Sequence, residues 1–323
     1  MTREDHVLIV STIQDVPTDE IVLRLAALGV SHMRLNTEDY PFASTLTFCP
    51  TTNHGKNEFA TDAKSLGTPT TIWYRRMRTP SKPDEMDEGV YTFCLQESRA
   101  ALLGSLLSLD ARWMSHPTAV WRAEFKPFQL SLAIKCGLPV PKTLITNDPS
   151  AVRSAFAGFD GMIVKPVRSG FIVNEGQEFS IYTSKILEDH LAELDNARFS
   201  PAIYQELVPK RFDVRVTIVG ERIFAAAIDS QSDPDAAIDW RKTNNPQLPH
   251  HEISLPDNVR VKLLEMMKRL GLSFGAIDMV QTPEGKYVFL EVNPSGQWLW
   301  LDDKLHLGIS DAVASWLAQM VTP

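Results

Sequence analysis

The sequence predicts an α/β protein with antiparallel elements added in its second half. Three observations carry this. Near the N-terminus an apolar strand, His6-Val7-Leu8-Ile9-Val10, is followed by a helical stretch and a second strand over residues 30–35. In the last third, residues of strand type alternate around tight turns. Composition is ordinary for a globular chain, 44% hydrophobic and 22% charged. The 323 residues allow one to three domains and a large core.

The first helix is predicted to start near Thr18, with Asp19 and Glu20 favourable in its first turn, and to stop at Gly29. Strand, helix and strand imply a right-handed βαβ unit and a parallel sheet. The first strand leads into Ser11-Thr12-Ile13-Gln14-Asp15. The absence of G-x-G-x-x-G there argues against a Rossmann dinucleotide site. Thr71-Ile72-Trp73-Tyr74 is a further strand, followed by Arg75 and Arg76. Residues 79–89 read as a surface loop and 95–109 as a long helix. His116-Pro117 marks a junction, so the expected domains are 1–116, 117–200 and 201–323.

In the middle segment, Lys126 stands just before Pro127, which suits the first turn of a helix running to Cys136 and ending at Gly137. Residues 143–145 form a strand. Asp148-Pro149 is an N-cap followed by proline at the first helical position. Residues 161–166 form a strand carrying Lys165, residues 171–183 a hairpin around Asn174-Glu175-Gly176, and residues 185–194 a helix with an acidic exposed side. In the last segment residues 203–208 form a strand, and residues 213–219 and 222–228 an antiparallel pair turned at Gly220. Asp213, Arg215 and Thr217 share one face of that pair, and Val214, Val216 and Ile218 the other. The apolar face must meet the core, so the polar face looks into a cleft or solvent. Residues 257–270 form a helix.

The last hairpin spans residues 275–296, turning at Pro283-Glu284-Gly285. If it is symmetric about Glu284 and Gly285, Asp278 lies across from Glu291 with Cβ atoms roughly 5 Å apart. Asn293 projects from the same face. Facing carboxylates repel unless a cation lies between them, and oxygen-only ligands suit Mg²⁺ or Mn²⁺. The alternative is a solvent-facing hairpin edge with ordinary charges.

Net charge is −8, which argues against a protein that coats nucleic acid but leaves room for a local basic pocket. Cys49, Cys94 and Cys136 are far apart and include no C-x-x-C, so neither a disulfide framework nor a zinc site is indicated. No signal-like N-terminus and no apolar run near ~18 residues appears. The expectation is a cytoplasmic protein with no membrane or nucleic-acid partner.

Lys126, Lys165, Gln205-Glu206-Leu207-Val208, Asp213-Val214-Arg215, Asp239-Trp240-Arg241, Asp278 and Glu291-Val292-Asn293-Pro294 occur in an order that resembles the ATP-grasp fold over residues 117–323. Residues 6–11, Arg34-Leu35-Asn36-Thr37-Glu38-Asp39-Tyr40-Pro41, Ile72-Trp73-Tyr74-Arg75-Arg76 and Gly296-Gln297-Trp298-Leu299-Trp300 narrow the resemblance. It is to the ATP-grasp ligases that mature graspetides, the microviridin ligases among them, with an N-terminal pre-ATP-grasp domain. These enzymes cross-link side chains of a ribosomal precursor peptide into macrocyclic esters or amides.

The resemblance implies a role for each matching residue. Lys126 and Lys165 hold nucleotide phosphates. Glu206, Leu207 and Val208 form a hinge that bonds adenine, and Asp213 contacts the nucleotide. Arg215 and Arg241 face the reacting phosphate and substrate carboxylate, a task suited to a planar fork, and Asn244 belongs to the same cluster. Asp278, Glu291 and Asn293 hold two Mg²⁺ ions, or Mn²⁺, against ATP. Taken singly, each of these residues also has a plain reading as a solvated charge, a surface ion pair or a strand position. The segment 167–171 offers one glycine where many ATP-grasp enzymes have a glycine-rich lid. His250 and His251 point opposite ways if extended, which argues against a metal pair, and Trp298 and Trp300 suit packing. The 171–183 hairpin and the following acidic residues Glu188 and Asp189 are expected to dock a helical leader, the core being processed elsewhere. The resemblance also implies a homodimer. Two other readings stand beside it: a ligase that adds free amino acids to a peptide or protein terminus, and a non-catalytic ATP-binding protein.

Overall fold

The computed structural model describes residues 5–48, 60–61, 64–65, 69–168, 170–174 and 177–321. They form two compact units. The first holds residues 1–117 with 297–299 and 308–323, the second residues 118–296 with 300–307. Cys49 lies outside the described residues; Cys94 and Cys136 are free thiols. Among the described residues no helix is long and apolar enough to cross a membrane.

The first unit contains β1 (Val7–Ser11), α1 (Val16–Ala27), β2 (His32–Asn36), β3 (Ala60–Thr61), β4 (Lys64–Ser65), β5 (Thr71–Tyr74), α2 (Glu88–Leu107) and β6 (Arg112–Trp113). A parallel sheet runs β2-β1-β5-β6. All five residues of β1 are buried, as a strand covered on both faces requires. α1 begins at Val16, ahead of Thr18, because Pro17 fits the first turn and the hydroxyl of Thr18 is used to bond Asp15 (2.9 Å). Where a dinucleotide-binding protein has its glycine turn, Asp15 accepts from Ser11 (2.7 Å) and lies 3.5 Å from the buried Arg75. The Arg75 guanidinium sits 5.0 Å from the Trp298 ring and 5.9 Å from that of Trp73. α2 starts at Glu88 rather than near residue 95, since Asp87 caps it by accepting from the amides of Gly89 and Val90.

The second unit opens with α3 (Pro117–Ala123) and α4 (Lys126–Lys135). Then come β7 (Thr143–Thr146), α5 (Pro149–Gly158), β8 (Met162–Pro166), β9 (Phe171–Asn174), β10 (Gln177–Ser180), β11 (Ser184–Ile186) and β12 (Ala202–Glu206). β9 and β10 form a separate two-stranded hairpin, as expected, while an antiparallel sheet runs β11-β8-β12-β7. The expected helix over 185–194 is corrected. Ser184–Ile186 pairs with β8 as a strand, and a 3-10 helix covers Glu188–Phe199. Burying Ile186 beside Val152, Met162, Leu194 and Tyr204 outweighs the local helical pattern. β12 ends at Glu206, short of residue 208, because the Leu207 amide turns to donate to Gly161 (3.0 Å).

The second sheet is built from β13 (Phe212–Val219), β14 (Arg222–Ile228), β15 (His250–Glu252), β16 (Phe274–Gln281) and β17 (Tyr287–Asn293), in the order β15-β14-β13-β16-β17. Between β15 and β16, α6 (Asp257–Leu270) buries Leu263, Met266, Met267 and Leu270, one stripe of a 3.6-residue period. α7 (Leu299–Leu305) follows β17. The last helix, α8 (Ile309–Ala318), was expected with residues 201–323 but belongs to the first unit. It buries Ile309, Val313 and Leu317 there, and Ser310 accepts from the Trp298 indole (3.0 Å).

Candidate active site

The site grows from the register of three adjacent strands. Arg215 on β13 pairs with Asp278 on β16, and Asp278 with Glu291 on β17. The row Arg215–Asp278–Glu291 therefore crosses the sheet on one face, with Asn293 two residues further along β17. The expected Asp278–Glu291 pairing holds, but by another route. Near the turn Met279 pairs with Phe289, so Leu290 is a bulge. The bulge shifts the register by one residue and brings Glu291 opposite Asp278.

The mutual repulsion of these carboxylates is met by side-chain cations. Nη1 of Arg215 donates to both Asp278 oxygens at 2.9 Å. Lys126, the first residue of α4, lies 2.9 Å from Glu291 Oε2. Burial disfavours the charged form of Glu291, but Lys126 and then Lys165 outweigh it and hold the carboxyl below the usual carboxylate range. Burial pushes the Lys165 ammonium down, with Glu291 opposing. Asp213 is pushed up by burial, and Lys210, at 2.7 Å, offsets part of this. Ser230 donates to the same Asp213 oxygen.

Arg241 follows the N-cap Asp239 of a 3-10 turn, Trp240–Lys242. Its Nε and Nη2 donate to the two Asp239 oxygens at 2.8 and 2.7 Å. This fork raises the guanidinium pKa further. Burial works against the Asp239 carboxylate, yet the Arg241 fork holds it below its ordinary range. The backbone amide of Thr183, just beyond the β9–β10 hairpin, donates to Asp239 Oδ2 (3.2 Å).

Lys126, Lys165, Asp213, Arg241, Asp278, Glu291 and Asn293 converge on a cavity of about 700 Å³. Its wall continues through Arg168, Gly170, Tyr182 and Trp240. Lys126, Lys165, Arg168 and Arg241 thus line the same cavity as Asp278, Glu291 and Asn293, an arrangement fit for a polyphosphate with its counter-cation. Asp278, Glu291 and Asn293 supply only hard oxygen donors. Each oxygen already in use keeps a second lone pair, so the set fits Mg²⁺ or Mn²⁺.

Other expected residues stand apart. Arg215 does not line the cavity and acts on it through Asp278. Glu206, Leu207 and Val208 are not in its wall; the Glu206 amide donates to Lys142 (2.9 Å) and its carboxylate pairs with the Lys142 ammonium (2.7 Å). Asn244 is exposed in the loop after the 3-10 turn. Glu188 and Asp189 are exposed in the first turn of the 3-10 helix. The single lid glycine, Gly170, serves a close approach: its carbonyl accepts from Ile181 (2.6 Å), and a Cβ there would lie 2.1 Å from the Ile181 carbonyl oxygen. His250 packs edge-on to Trp240 and Trp300 while His251 meets Phe212, so the two do diverge.

Four contributors were given no role from the sequence: Asp239 and Gly296, which stood only within longer motifs, and Lys210 and Gln129. Asp239 and Lys210 carried a signal, standing two and three residues before Arg241 and Asp213. Gln129 is one helical turn from Lys126 and so shares its face, but a lone glutamine says little. Gly296 is needed because a Cβ would lie 2.3 Å from that of Ala276 and 2.9 Å from Arg215 Nη2.

This fold and donor set define an ATP-grasp ligase. The family model of the MvdD pre-ATP-grasp domain matches residues 6–120. Macrocyclase MdnC of Microcystis aeruginosa MRC, solved with precursor peptide MdnA, is 33% identical over 97% of this chain and 99% of its own, with a TM-score of 0.87. Macrocyclase MdnB of the same organism is 30% identical over 97% and 99%, with a TM-score of 0.81. A RiPP-associated ATP-grasp ligase of Chryseobacterium gregarium, solved with ADP and a leader and core peptide, is 28% identical over 99% and 98%, with a TM-score of 0.90. Comparison with the curated proteins gave no match. The chain belongs to the ATP-grasp ligases that mature graspetides.

Proposed function

We propose that this ligase activates Asp or Glu side-chain carboxylates of a ribosomal precursor peptide and closes them onto Ser, Thr or Lys side chains of the same peptide. The observation that carries this is the convergence of Lys126, Lys165 and Arg241 with Asp278, Glu291 and Asn293 on one cavity, in a chain of this family. A peptide carboxylate oxygen attacks the γ-phosphorus of ATP, and the bond to the β–γ bridging oxygen breaks, giving an acyl phosphate and ADP. The hydroxyl or amine then attacks the acyl carbon. Phosphate leaves and the nucleophile loses its proton, so each cross-link costs one ATP and removes one water from the peptide.

Lys126 and Lys165 are the phosphate cradle. Burial lowers the Lys165 pKa against the pull of Glu291, and a phosphate oxygen at this place would favour its charged form. Arg241, oriented by Asp239, faces the transferring phosphoryl group and then the acyl oxyanion. Asp278, Glu291 and Asn293 would hold Mg²⁺, as two ions in the full complex or with Mn²⁺ in its place. When bound, the metal neutralises charge on the β- and γ-phosphates. Arg215 keeps Asp278 charged and in register. Asp213 contacts the nucleotide through the oxygen that Lys210 and Ser230 leave open. The Glu206 and Leu207 amides are committed within the protein, so Val208 and the hinge carbonyls remain for adenine. Asn244 joins only if its loop closes.

For the leader, the β9–β10 hairpin presents a directly paired Ile172 and Phe179, both about half exposed, with Glu188 and Asp189 close by in sequence. An amphipathic helical leader with basic flanks suits that surface. A homodimer is supported by the outer face of α2, where Val90 and Phe93 are exposed along with Glu97, Ala101 and Gly104; sedimentation showing only monomer at micromolar concentration would remove this part. A cytoplasmic site of action fits the need for ATP and a ribosomal product. The core assignment is tested by Glu291→Gln and Asn293→Ala. Both should abolish ADP formation in folded protein, and near-normal turnover by either would sink the metal and phosphate reading.

A further inference from the structure

β17 is an edge strand of its sheet, and its free edge is closed by a side chain. Gln129, on the first turns of α4 and buried, accepts from the Val292 amide (2.9 Å) and donates to the Val292 carbonyl (2.8 Å). Its amide also donates to the Ala123 carbonyl. The side chain thus pairs with Val292 as a neighbouring strand would. Val292 stands between Glu291 and Asn293. The same helix supplies Lys126 to Glu291, and beyond the Leu290 bulge the Phe289 amide donates to the Pro139 carbonyl (2.8 Å). A bulged edge strand has freedom to slip by one residue. A slip here would turn Glu291 and Asn293 away from Asp278.

We infer that Gln129 is a positioning residue, which locks the register of β17 so that Glu291 and Asn293 share the face of Asp278 and meet Lys126. The inference rests on the metal reading of those three residues. Only a primary amide fits: an ionised glutamate would accept from Val292 but could donate to neither carbonyl, and a protonated one to a single carbonyl, leaving at least one of the two buried acceptors without this donor.

The test is Mn²⁺ binding to the full chain with AMPPNP, followed by electron paramagnetic resonance, for wild type, Gln129→Glu, Gln129→Met and Glu291→Gln. Melting without nucleotide is recorded in parallel. Both Gln129 variants should need roughly 10- to 100-fold more Mn²⁺ for half-saturation, as for loss of a group that orients a metal ligand. If either binds Mn²⁺ like wild type, the inference is overturned. If melting falls while half-saturation stays, the residue is structural and the inference also fails. If neither variant folds, the fold rather than the site depends on Gln129, which overturns it too. Glu291→Gln separates the two layers: wild-type Mn²⁺ binding by this variant removes the metal reading itself, whereas its loss alongside normal Gln129 variants removes only the positioning role.

Discussion

Replacing Gly296 by Ala tests the packing that aligns the site. The added Cβ would lie 2.3 Å from the Ala276 Cβ and 2.9 Å from Arg215 Nη2, where carbon atoms normally meet at about 3.5–4.0 Å. The 293–296 loop or the Ala276 segment of β16 must move by more than about 1 Å, and such overpacking costs about 1–3 kcal/mol. For a unit of this size that is a fall in Tm of roughly 2–12 °C. Moving the loop displaces Asn293; moving Arg215 takes the cation from Asp278. A displacement of this size at a reacting site costs about 100-fold in rate. The assay is thermal melting with ADP release, on wild type, Gly296→Ala, Ala276→Gly and the pair. In the pair the 2.3 Å clash is gone, and the end of the Arg215 side chain and, at 3.3 Å, the Asn293 carbonyl oxygen remain in contact. The two changes should therefore show a favourable coupling of about 0.5–3 kcal/mol, despite the added strand glycine. Additive effects, or a Gly296→Ala protein with wild-type melting and rate, would refute the reasoning.

Two further outcomes follow from the charges. Glu188→Lys combined with Asp189→Lys should weaken leader binding severalfold, more so at low salt because the contribution is screened, while ATP affinity holds; calorimetry measures both, and unchanged leader binding would move the docking site elsewhere. The folded state depresses the Glu291 pKa. Its charged form therefore contributes stability fully above the ordinary glutamate value of about 4.3, and this fades as pH falls through the folded value. The Tm difference between wild type and Glu291→Gln should be flat between about pH 6 and 8 and shrink below about pH 4. A difference that widens on acidification would show that Glu291 is held neutral.

The fold was legible where one residue type decides the outcome locally. The β13–β14 pair, α6 and the start of α4 follow from alternation, period and Pro127. The Asp278–Glu291 pairing was reached on the assumption of a symmetric hairpin, and the Leu290 bulge supplies it instead. Bulges depend on what packs against the strand edge, here α4 through Gln129, so a local pattern does not show them. The strand at Ser184–Ile186 was missed for a related reason, since its partner β8 lies some twenty residues away in sequence. Within the site, the cations and carboxylates were legible as types. Their division of labour was not: Arg215 read as a cavity residue, but an in-register carboxylate draws its guanidinium aside. Asp239 stood in the sequence only as a neighbour of Arg241, and the structure makes it the N-cap of the 3-10 turn and the anchor of the Arg241 fork.

The central claim is peptide cross-linking through an acyl phosphate at this site. The most direct measurement is mass spectrometry of a precursor peptide incubated with the enzyme, ATP and Mg²⁺, with ADP and phosphate counted alongside. The account predicts a peptide lighter by one water for each ADP formed, and no change with Glu291→Gln. A product heavier by an added amino acid would contradict it and identify a ligase that extends peptides instead; ATP binding with no ADP and no mass change, given a precursor that binds, would identify a non-catalytic ATP-binding protein.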